Sequence, residues 1–386
     1  MLRSNNLYKL KAILAGLIFC AVYILIQNGA LIEEENHVIR GQQSRLRTGF
    51  SLEKLETRPP EKYSGKDPLI FLQTKKIHSS LMYNEPCELT RDPAKFTESD
   101  AVVFHGKDLP LPENFIKLRS KPLLAGQLWV YFNLESPKNT RKVLSNEMLF
   151  NLTVTPQRNS DIVHPYGYHS KTMESRPKKV DVKSKTGFVA WCVSNCAVRF
   201  RNDFVHLMQR YARVDVFGKC SKDYGPVRIC NRNTEECEQY LSRYKFYLAF
   251  ENSLCTDYVT EKYWGALQRG NVPVVMTANV DTLIPGSFID ATKFETVQKL
   301  VMYLNYLHKH DEEYLKYFAW RERYEIDYEP GDARRADIWL PQLCDFLLDM
   351  DWSQKRIVNL SKFYSVEENC PKEKENKIIR IIKRGV

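Results

Sequence analysis

The stretch Tyr244–Met276, YKFYLAFENSLCTDYVTEKYWGALQRGNVPVVM, decides how the rest of the chain is read. Tyr244 to Phe250 is an aromatic, apolar run and Val272 to Met276 is another, so each reads as a buried strand. A helix fits between them. Thr256 or Asp257 can cap it, Val259, Tyr263, Ala266 and Leu267 give it an apolar face, and Gly270 ends it. Strand, helix and strand make a βαβ unit, in which ligands gather where the first strand ends and the helix begins, because free N–H groups and the helix dipole favour anions there. Glu251, Asn252, Ser253, Asp257, Glu261 and Lys262 cluster at that point. The same spacing also fits an ordinary crossover with a solvated helix start.

Outward from this unit, Gly187 to Val193 reads as a buried strand and Asn202 to Arg213 as a helix with Phe204, Val205, Leu207, Met208 and Tyr211. Val214 to Phe217 follows as a strand ended by Gly218. Together these make an α/β layer. Earlier in the chain, Pro68 to Leu72, Ala101 to Phe104 and Gln127 to Leu134 read as strands separated by helical or irregular segments, a second such layer. Lys171 to Lys185 is lysine-rich with Pro177 and little apolar content, and reads as a linker. The fold class is therefore α/β, with two doubly wound layers facing each other across a cleft. Phe294 to His308 and Asp311 to Arg323 read as helices. Lys372 to Arg384, basic with Ile378, Ile379, Ile381 and Ile382, reads as a frayed terminus or a segment lying on a membrane.

The chain has 386 residues, 43% hydrophobic, which suits two or three domains with a sizeable core. Ala12 to Ile26 carries no charge, and with the residues up to Ile32 it is long enough to cross a bilayer. Arg3, Lys9 and Lys11 precede it and Glu33, Glu34 and Glu35 follow, so the positive-inside rule keeps the N-terminus cytoplasmic. A cleaved signal peptide is the competing reading, but Asn28 is a poor residue two positions before a cut at Ala30. The expected order is a cytoplasmic tail at 1–11, a signal anchor at 12–32, and a polar stem at 33–66. Domains at 67–175 and 176–345 and a C-terminal extension at 346–386 follow.

Of ten cysteines, all but Cys20 lie beyond the anchor, as do the sequons at Asn151 and Asn359, and both features fit an oxidising secretory lumen. The odd number beyond the anchor leaves a thiol over. Neither Cys192 with Cys196 nor Cys230 with Cys237 has the spacing of a complete zinc site with histidines, so they read as structural. A net charge of +10, spread along the chain, lacks the dense basic stripe of a nucleic-acid binder. It suits a phosphorylated or nucleotide-linked substrate.

Leu241 to Ser253, then Asp257-Tyr-Val-Thr-Glu-Lys and Val272-Pro-Val-Val, resemble the signature of the α1,3-fucosyltransferases of glycosyltransferase family ten. The resemblance extends through Val214 to Gly218, Val189 to Asn195 and Tyr314 to Glu322. In the first layer it takes in Ser99 to His105, Asn133 to Pro137 and Asp161 to Gly167, so it covers roughly Pro68 to Tyr324. It implies two Rossmann-like domains of GT-B type, type II Golgi membrane topology with lumenal catalytic domains, and inverting transfer of L-fucose from GDP-fucose. The implied acceptor is N-acetylglucosamine of an N-glycan core or a lactosamine-type glycan on a glycoprotein. By the same resemblance Glu135 is the general base, and Arg201 and Lys262 meet the diphosphate. Glu261 binds donor hydroxyls, Tyr247, Asn252 and Tyr258 line the nucleotide-sugar pocket, and Ser194 and Asn195 approach the phosphates or ribose, with Arg199 nearby. No metal or other cofactor is required, although stimulation by Mn²⁺ or another divalent cation is compatible. Asp349-Met-Asp351 reads as a helix end.

Three departures from the family pattern stand out. Phe104-His-Gly-Lys-Asp108 differs from the relatives' acceptor-selecting segment. Gly265 stands where a basic residue is usual, and the loop after Asn195 is shorter. Other readings that fit the same sequence are a glycan-binding protein without turnover and a transferase for another nucleotide sugar.

Overall fold

A computed structural model describes residues 67–73, 86–119, 126–140, 149–172, 180–231, 234–276, 282–328, 336–350 and 357–385. The expected tail, anchor and stem at 1–66 and the middle of the expected linker lie outside these residues. Among the described residues no helix is long and apolar enough to cross a membrane.

The N-terminal half supplies β1 (Leu69–Leu72), β2 (Glu88–Thr90), β3 (Ala101–His105), α1 (Pro112–Arg119), β4 (Leu128–Phe132), β5 (Leu149–Phe150), β6 (Leu152–Thr155), β7 (Ile162–Val163) and β8 (Tyr168–Lys171). Six of these strands form one parallel sheet in the order β2-β1-β3-β4-β6-β7. β3 and β4 are apolar at nearly every position because a parallel sheet is covered on both faces. Side-chain alternation then divides each strand between two cores. Val102, Phe104, Trp129 and Tyr131 pack with Phe115 of α1, while Ala101, Val103, Leu128, Val130 and Phe132 face the opposite side.

The second sheet uses β9 (Gly187–Cys192), α2 (Arg199–Met208), β10 (Val214–Phe217), α3 (Glu235–Ser242), β11 (Tyr244–Leu248), α4 (Glu261–Gln268), β12 (Val272–Val275) and β13 (Ile289–Asp290). Its five strands are parallel in the order β10-β9-β11-β12-β13, so the expected βαβ unit of β11, α4 and β12 is present. Gly270 ends α4 with φ 69°, a conformation glycine adopts without a Cβ penalty. α5 (Val297–Lys309) is capped by the Thr296 hydroxyl and covers one face of this sheet with Leu300, Leu304 and Leu307. α6 (Asp311–Leu315) and a 3₁₀ helix, Lys316–Glu322, replace the single helix expected from Asp311 to Arg323. β14 (Tyr324–Asp327) then pairs antiparallel with β8.

The domain boundaries need correction. α7 (Ala336–Asp349) was expected in the second domain, yet Trp339, Leu340, Leu343 and Leu347 pack on the first sheet. The Cys87–Cys344 disulfide fastens it there. Residues 346–386 are not an appendage either. β15 (Val358–Asn359) pairs with β5, and Leu360 of α8 (Leu360–Phe363) and Tyr364 join the core around Trp129. After α9 (Val366–Asn369), α10 (Lys372–Lys383) buries Ile378 and Ile381 against α2 and the second sheet, so this tail is not a frayed end. The linker assignment also fails at its edges, since β8 reaches Lys171 and Lys185 is buried, donating to the Ser242 and Arg269 carbonyls.

The remaining disulfides are Cys196–Cys220, Cys230–Cys237 and Cys255–Cys370, and Cys192 stays outside them. The pairing agrees with the structural reading of Cys196, Cys230 and Cys237 and does not extend to Cys192.

Candidate active site

Loops that follow the carboxyl ends of parallel strands line one cleft of about 920 Å³. β3 leads to His105 and Lys107, β4 to Asn133, Leu134 and Glu135, β9 to Ser194 and Asn195, and β11 to Asn252. Arg201 enters from α2, Tyr258 from the turn before α4, and Glu261 and Lys262 from the first turn of α4. Tyr247 contributes from β11 itself. Every catalytic and donor-binding residue singled out from the sequence therefore reaches this one cleft.

The Glu135 loop is fixed from several sides. Asn133 Oδ1 accepts the Glu135 N–H at 3.2 Å, and the Tyr166 hydroxyl donates to the Leu134 carbonyl at 2.8 Å. Ser253 Oγ donates to Ser136 Oγ at 2.6 Å, and the Tyr364 hydroxyl donates to the carbonyl of Glu135 itself. Gly106 must be small here, because a Cβ would come within 2.7 Å of the Asn133 side chain. The carboxylate, 26% exposed, accepts from Lys107 Nζ at 3.0 Å on Oε1. Its Oε2 accepts from the Tyr258 hydroxyl at 3.2 Å. Burial, with Tyr166 and Glu135 nearby, pushes the Tyr258 phenol well above its usual range, so it stays a donor.

Across the cleft, Arg201 is 2% exposed and lies over the Trp191 ring. It donates to the Phe250 carbonyl at 3.0 Å and the Asn195 carbonyl at 2.8 Å, while its Nε has no partner among the described residues. Burial lowers its pKa and Glu251 opposes the fall. An arginine stays charged at such a site, and a buried unfilled donor calls for an acceptor.

The start of α4 differs from expectation. Thr260 is its N-cap residue, not Thr256 or Asp257, and the capping oxygen belongs to Glu251, which accepts the Thr260 N–H and hydroxyl at 2.8 Å each. Asp257 adopts φ 56° and pairs with Arg158 at 2.9 Å. Lys262 Nζ donates to Glu251 at 2.9 Å, Glu261 at 3.1 Å and Thr260 Oγ1 at 2.7 Å. Burial would lower the Lys262 pKa, but the two carboxylates outweigh it and raise the value. Lys262 is therefore a clamped cation.

Glu251 belonged to the polar cluster read from the sequence, but its capping role shows only in three dimensions. Lys107 fell in a segment marked by its departure from the pattern. Tyr364 and Arg269 gave no local signal. The arginine fills the space beside Gly265, where a Cβ would meet its Nη1 at 2.9 Å. One site assignment is overturned: Asn151 is 1% exposed, and its Oδ1 accepts the Trp129 backbone N–H at 2.8 Å inside the sheet, leaving no room for a glycan. Asn359 is half-buried and caps α8 through the Lys362 N–H. Among the described residues no group of three or more His, Cys, Asp or Glu is placed to hold a metal ion. Asp349 ends α7, and Asp351 lies outside the described residues.

Comparison with known proteins matches residues 182–363 to the C-terminal region of glycosyltransferase family 10 (fucosyltransferase) and residues 65–167 to a fucosyltransferase N-terminal region. A 3-galactosyl-N-acetylglucosaminide 4-alpha-L-fucosyltransferase from Bos taurus is 36% identical over 244 residues, covering 61% of this chain and 64% of that protein. A 4-galactosyl-N-acetylglucosaminide 3-alpha-L-fucosyltransferase from Mus musculus is 34% identical over 256 residues, covering 64% and 67%. The chain thus spans about two thirds of the length of these relatives, slightly less for the bovine protein. A crystal structure of an alpha1,3-fucosyltransferase superposes with a TM-score of 0.51 at 16% identity, covering 77% of this chain and 93% of that one, a likeness of fold. With both family regions matched in order across the two parallel sheets, the chain belongs to glycosyltransferase family 10, the fucosyltransferases.

Proposed function

We propose that this protein transfers L-fucose from GDP-fucose to a hydroxyl of N-acetylglucosamine in a glycan acceptor, forming an α1,3 linkage with inversion. The observation that carries this reading is the single cleft that sets the Glu135 carboxylate opposite Arg201 and the Lys262 cluster. Glu135 takes the proton from the acceptor hydroxyl as its oxygen bonds to the anomeric carbon. The bond from that carbon to the diphosphate breaks, and GDP departs with the electron pair. Arg201 Nε and Lys262 Nζ stabilise the charge that develops on the phosphate oxygens. Tyr258, on the donor side of the cleft, holds the base through its hydroxyl.

The two parallel sheets serve as facing Rossmann-like halves of a GT-B arrangement, with the first on the acceptor side. The stretch 12–32 anchors the protein in the Golgi membrane as a single-pass type II protein, the stem follows, and Asn359 is the remaining glycosylation sequon. The lumenal placement is supported by the paired cysteines and by the charges around the apolar stretch.

The test is a soluble form beginning near Glu33, incubated with GDP-fucose and an array of N-glycan core and lactosamine-type acceptors, with linkage analysis of the product. GDP-fucose bound without turnover on any acceptor would favour a glycan-binding role. Turnover of a different nucleotide sugar in a parallel donor panel would refute the donor.

A further inference from the structure

Among the described residues Asp257 alone has a positive φ, 56°, without being glycine, a conformation that crowds a Cβ. It sits in the turn from Cys255 to Tyr258, which the Tyr258 N–H closes by donating to the Cys255 carbonyl at 3.4 Å. Glycine makes such a turn at no steric cost. Aspartate brings a carboxylate instead, 7% exposed, whose Oδ2 accepts the Arg158 N–H at 3.0 Å and whose Oδ1 accepts from Arg158 Nε at 2.9 Å. Arg158 belongs to the loop between β6 and β7, so the pair joins the half built on the first sheet to the half built on the second. That loop is a firm post. The Gln157 N–H donates to Thr155 Oγ1 at 3.2 Å, the Ser160 N–H to the Gln157 carbonyl at 3.0 Å, and Gln157 Nε2 to Asn369 Oδ1 at 2.6 Å. The start of the turn is held separately, by the Cys255–Cys370 disulfide and by the Thr256 N–H, which donates to the Asn369 carbonyl at 2.7 Å. Asp257 holds its end.

We propose that Arg158 and Asp257 are positioning residues for fucose transfer, a clamp that pins the end of this turn so that the Tyr258 hydroxyl meets the Glu135 carboxylate. The inference rests on the reading of Glu135 as general base and deepens it. Neither Arg158 nor Asp257 is among the residues that line the cleft, but Tyr258, the next residue, is, and its hydroxyl donates to Glu135 Oε2 at 3.2 Å. The hydroxyl stands at the far end of a long, rigid side chain, so a small rotation of the backbone at Asp257 moves it out of hydrogen-bond range. The positive φ persists only while its surroundings enforce it. Without the bonds to Arg158, the turn can relax and carry Tyr258 with it. A misplacement of about 1 Å near reacting groups is enough to cost up to about a hundredfold in rate.

The experiment is steady-state transfer from GDP-fucose by the soluble form, with Arg158→Met, Arg158→Lys and Asp257→Gly made in the wild-type and in the Tyr258→Phe background. Arg158→Met removes the guanidinium. Arg158→Lys keeps a cation beside Asp257 and should retain most of kcat. Asp257→Gly removes the carboxylate and suits the positive φ, which keeps the idea testable if Arg158→Met folds poorly. Arg158→Met and Asp257→Gly are each expected to lower kcat by about tenfold and to leave KM for GDP-fucose within about twofold of wild type. Tyr258→Phe alone should cost about the same, and in its background neither substitution should lower kcat further, because the effect passes through a hydroxyl already removed. Losses that multiply across the two backgrounds overturn the inference. An unchanged kcat in both single variants overturns it as well, as does a loss carried by KM alone. A wild-type protein that transfers no fucose, or a Glu135→Gln protein that keeps its transfer, sinks the reading of the base itself, an outcome distinct from multiplied losses.

Discussion

Replacing Glu135 by glutamine separates the chemistry of the cleft from its architecture. The backbone of Glu135 is held by Asn133 and Tyr364, and neither contact involves the carboxylate. The amide can keep its oxygen toward Lys107 and present its NH₂ to the Tyr258 hydroxyl oxygen, so the side chain keeps its place. The charge pair lost is with Lys107, whose side chain is 41% exposed, and a pair in such contact with water contributes less than about 1 kcal/mol. Stability should therefore hardly change. Proton transfer by a positioned base accounts for about 10²- to 10⁴-fold in rate. That loss corresponds to about 3 to 5 kcal/mol at 1.36 kcal/mol per decade. The assay is steady-state transfer from GDP-fucose, with GDP affinity by calorimetry and unfolding by denaturant on the same preparation. Expected are a fall in kcat of at least about a hundredfold, unchanged GDP affinity and an unchanged midpoint. Transfer within about tenfold of wild type would remove Glu135 from the role of base.

Lys262→Ala is expected to weaken GDP binding by about 1.5 to 3 kcal/mol, since a charge-assisted contact is lost. It should also lower stability by about 3 to 5 kcal/mol, because Glu251, 5% exposed, loses the cation that offsets the burial of its carboxylate. Adding Glu251→Gln should restore the stability and not the GDP affinity, and recovery of both would count against Lys262 as a phosphate ligand. Tyr364→Phe removes the hydroxyl that holds the Glu135 carbonyl, so kcat should fall by about tenfold while the GDP dissociation constant stays put. An unchanged kcat would exclude Tyr364 as a positioning residue. Burial, with Arg321 and Arg269 close by, lowers the Lys185 pKa to about 8. The folded protein releases this proton before the unfolded chain does, so stability rises as pH climbs from about 8 towards the ordinary lysine value. Denaturant unfolding of the wild type and Lys185→Met at pH 7.5 and pH 10 should show the wild type gaining up to about 3 kcal/mol relative to the variant, and a constant difference would contradict the assignment.

Much of the molecule was legible before any coordinates. The runs at Ala101–Phe104, Gly187–Val193, Tyr244–Phe250 and Val272–Met276 fall on central parallel strands, because burial on both faces demands unbroken apolar sequence. The βαβ connection and the polar cluster at its turn followed from local spacing alone. Glu135 came from resemblance, since a glutamate before Ser-Pro has no periodic or compositional mark of its own. Short edge strands such as β2 and β7 were missed, for they are too brief to carry a pattern.

The sequence by itself determined the α/β class, the βαβ unit around Tyr244–Met276 and the polar cluster at the turn of that unit. The reason is that burial and turn chemistry act over a few residues and leave a readable period. Only the tertiary structure decided that α7 belongs to the first sheet and α10 to the second. It also decided that Glu251 caps α4 across nine residues and that Tyr364 grips the Glu135 loop from 229 residues away. Those contacts depend on where the folded chain brings distant segments together, and an isolated tyrosine, glutamate or arginine carries no trace of its eventual partner.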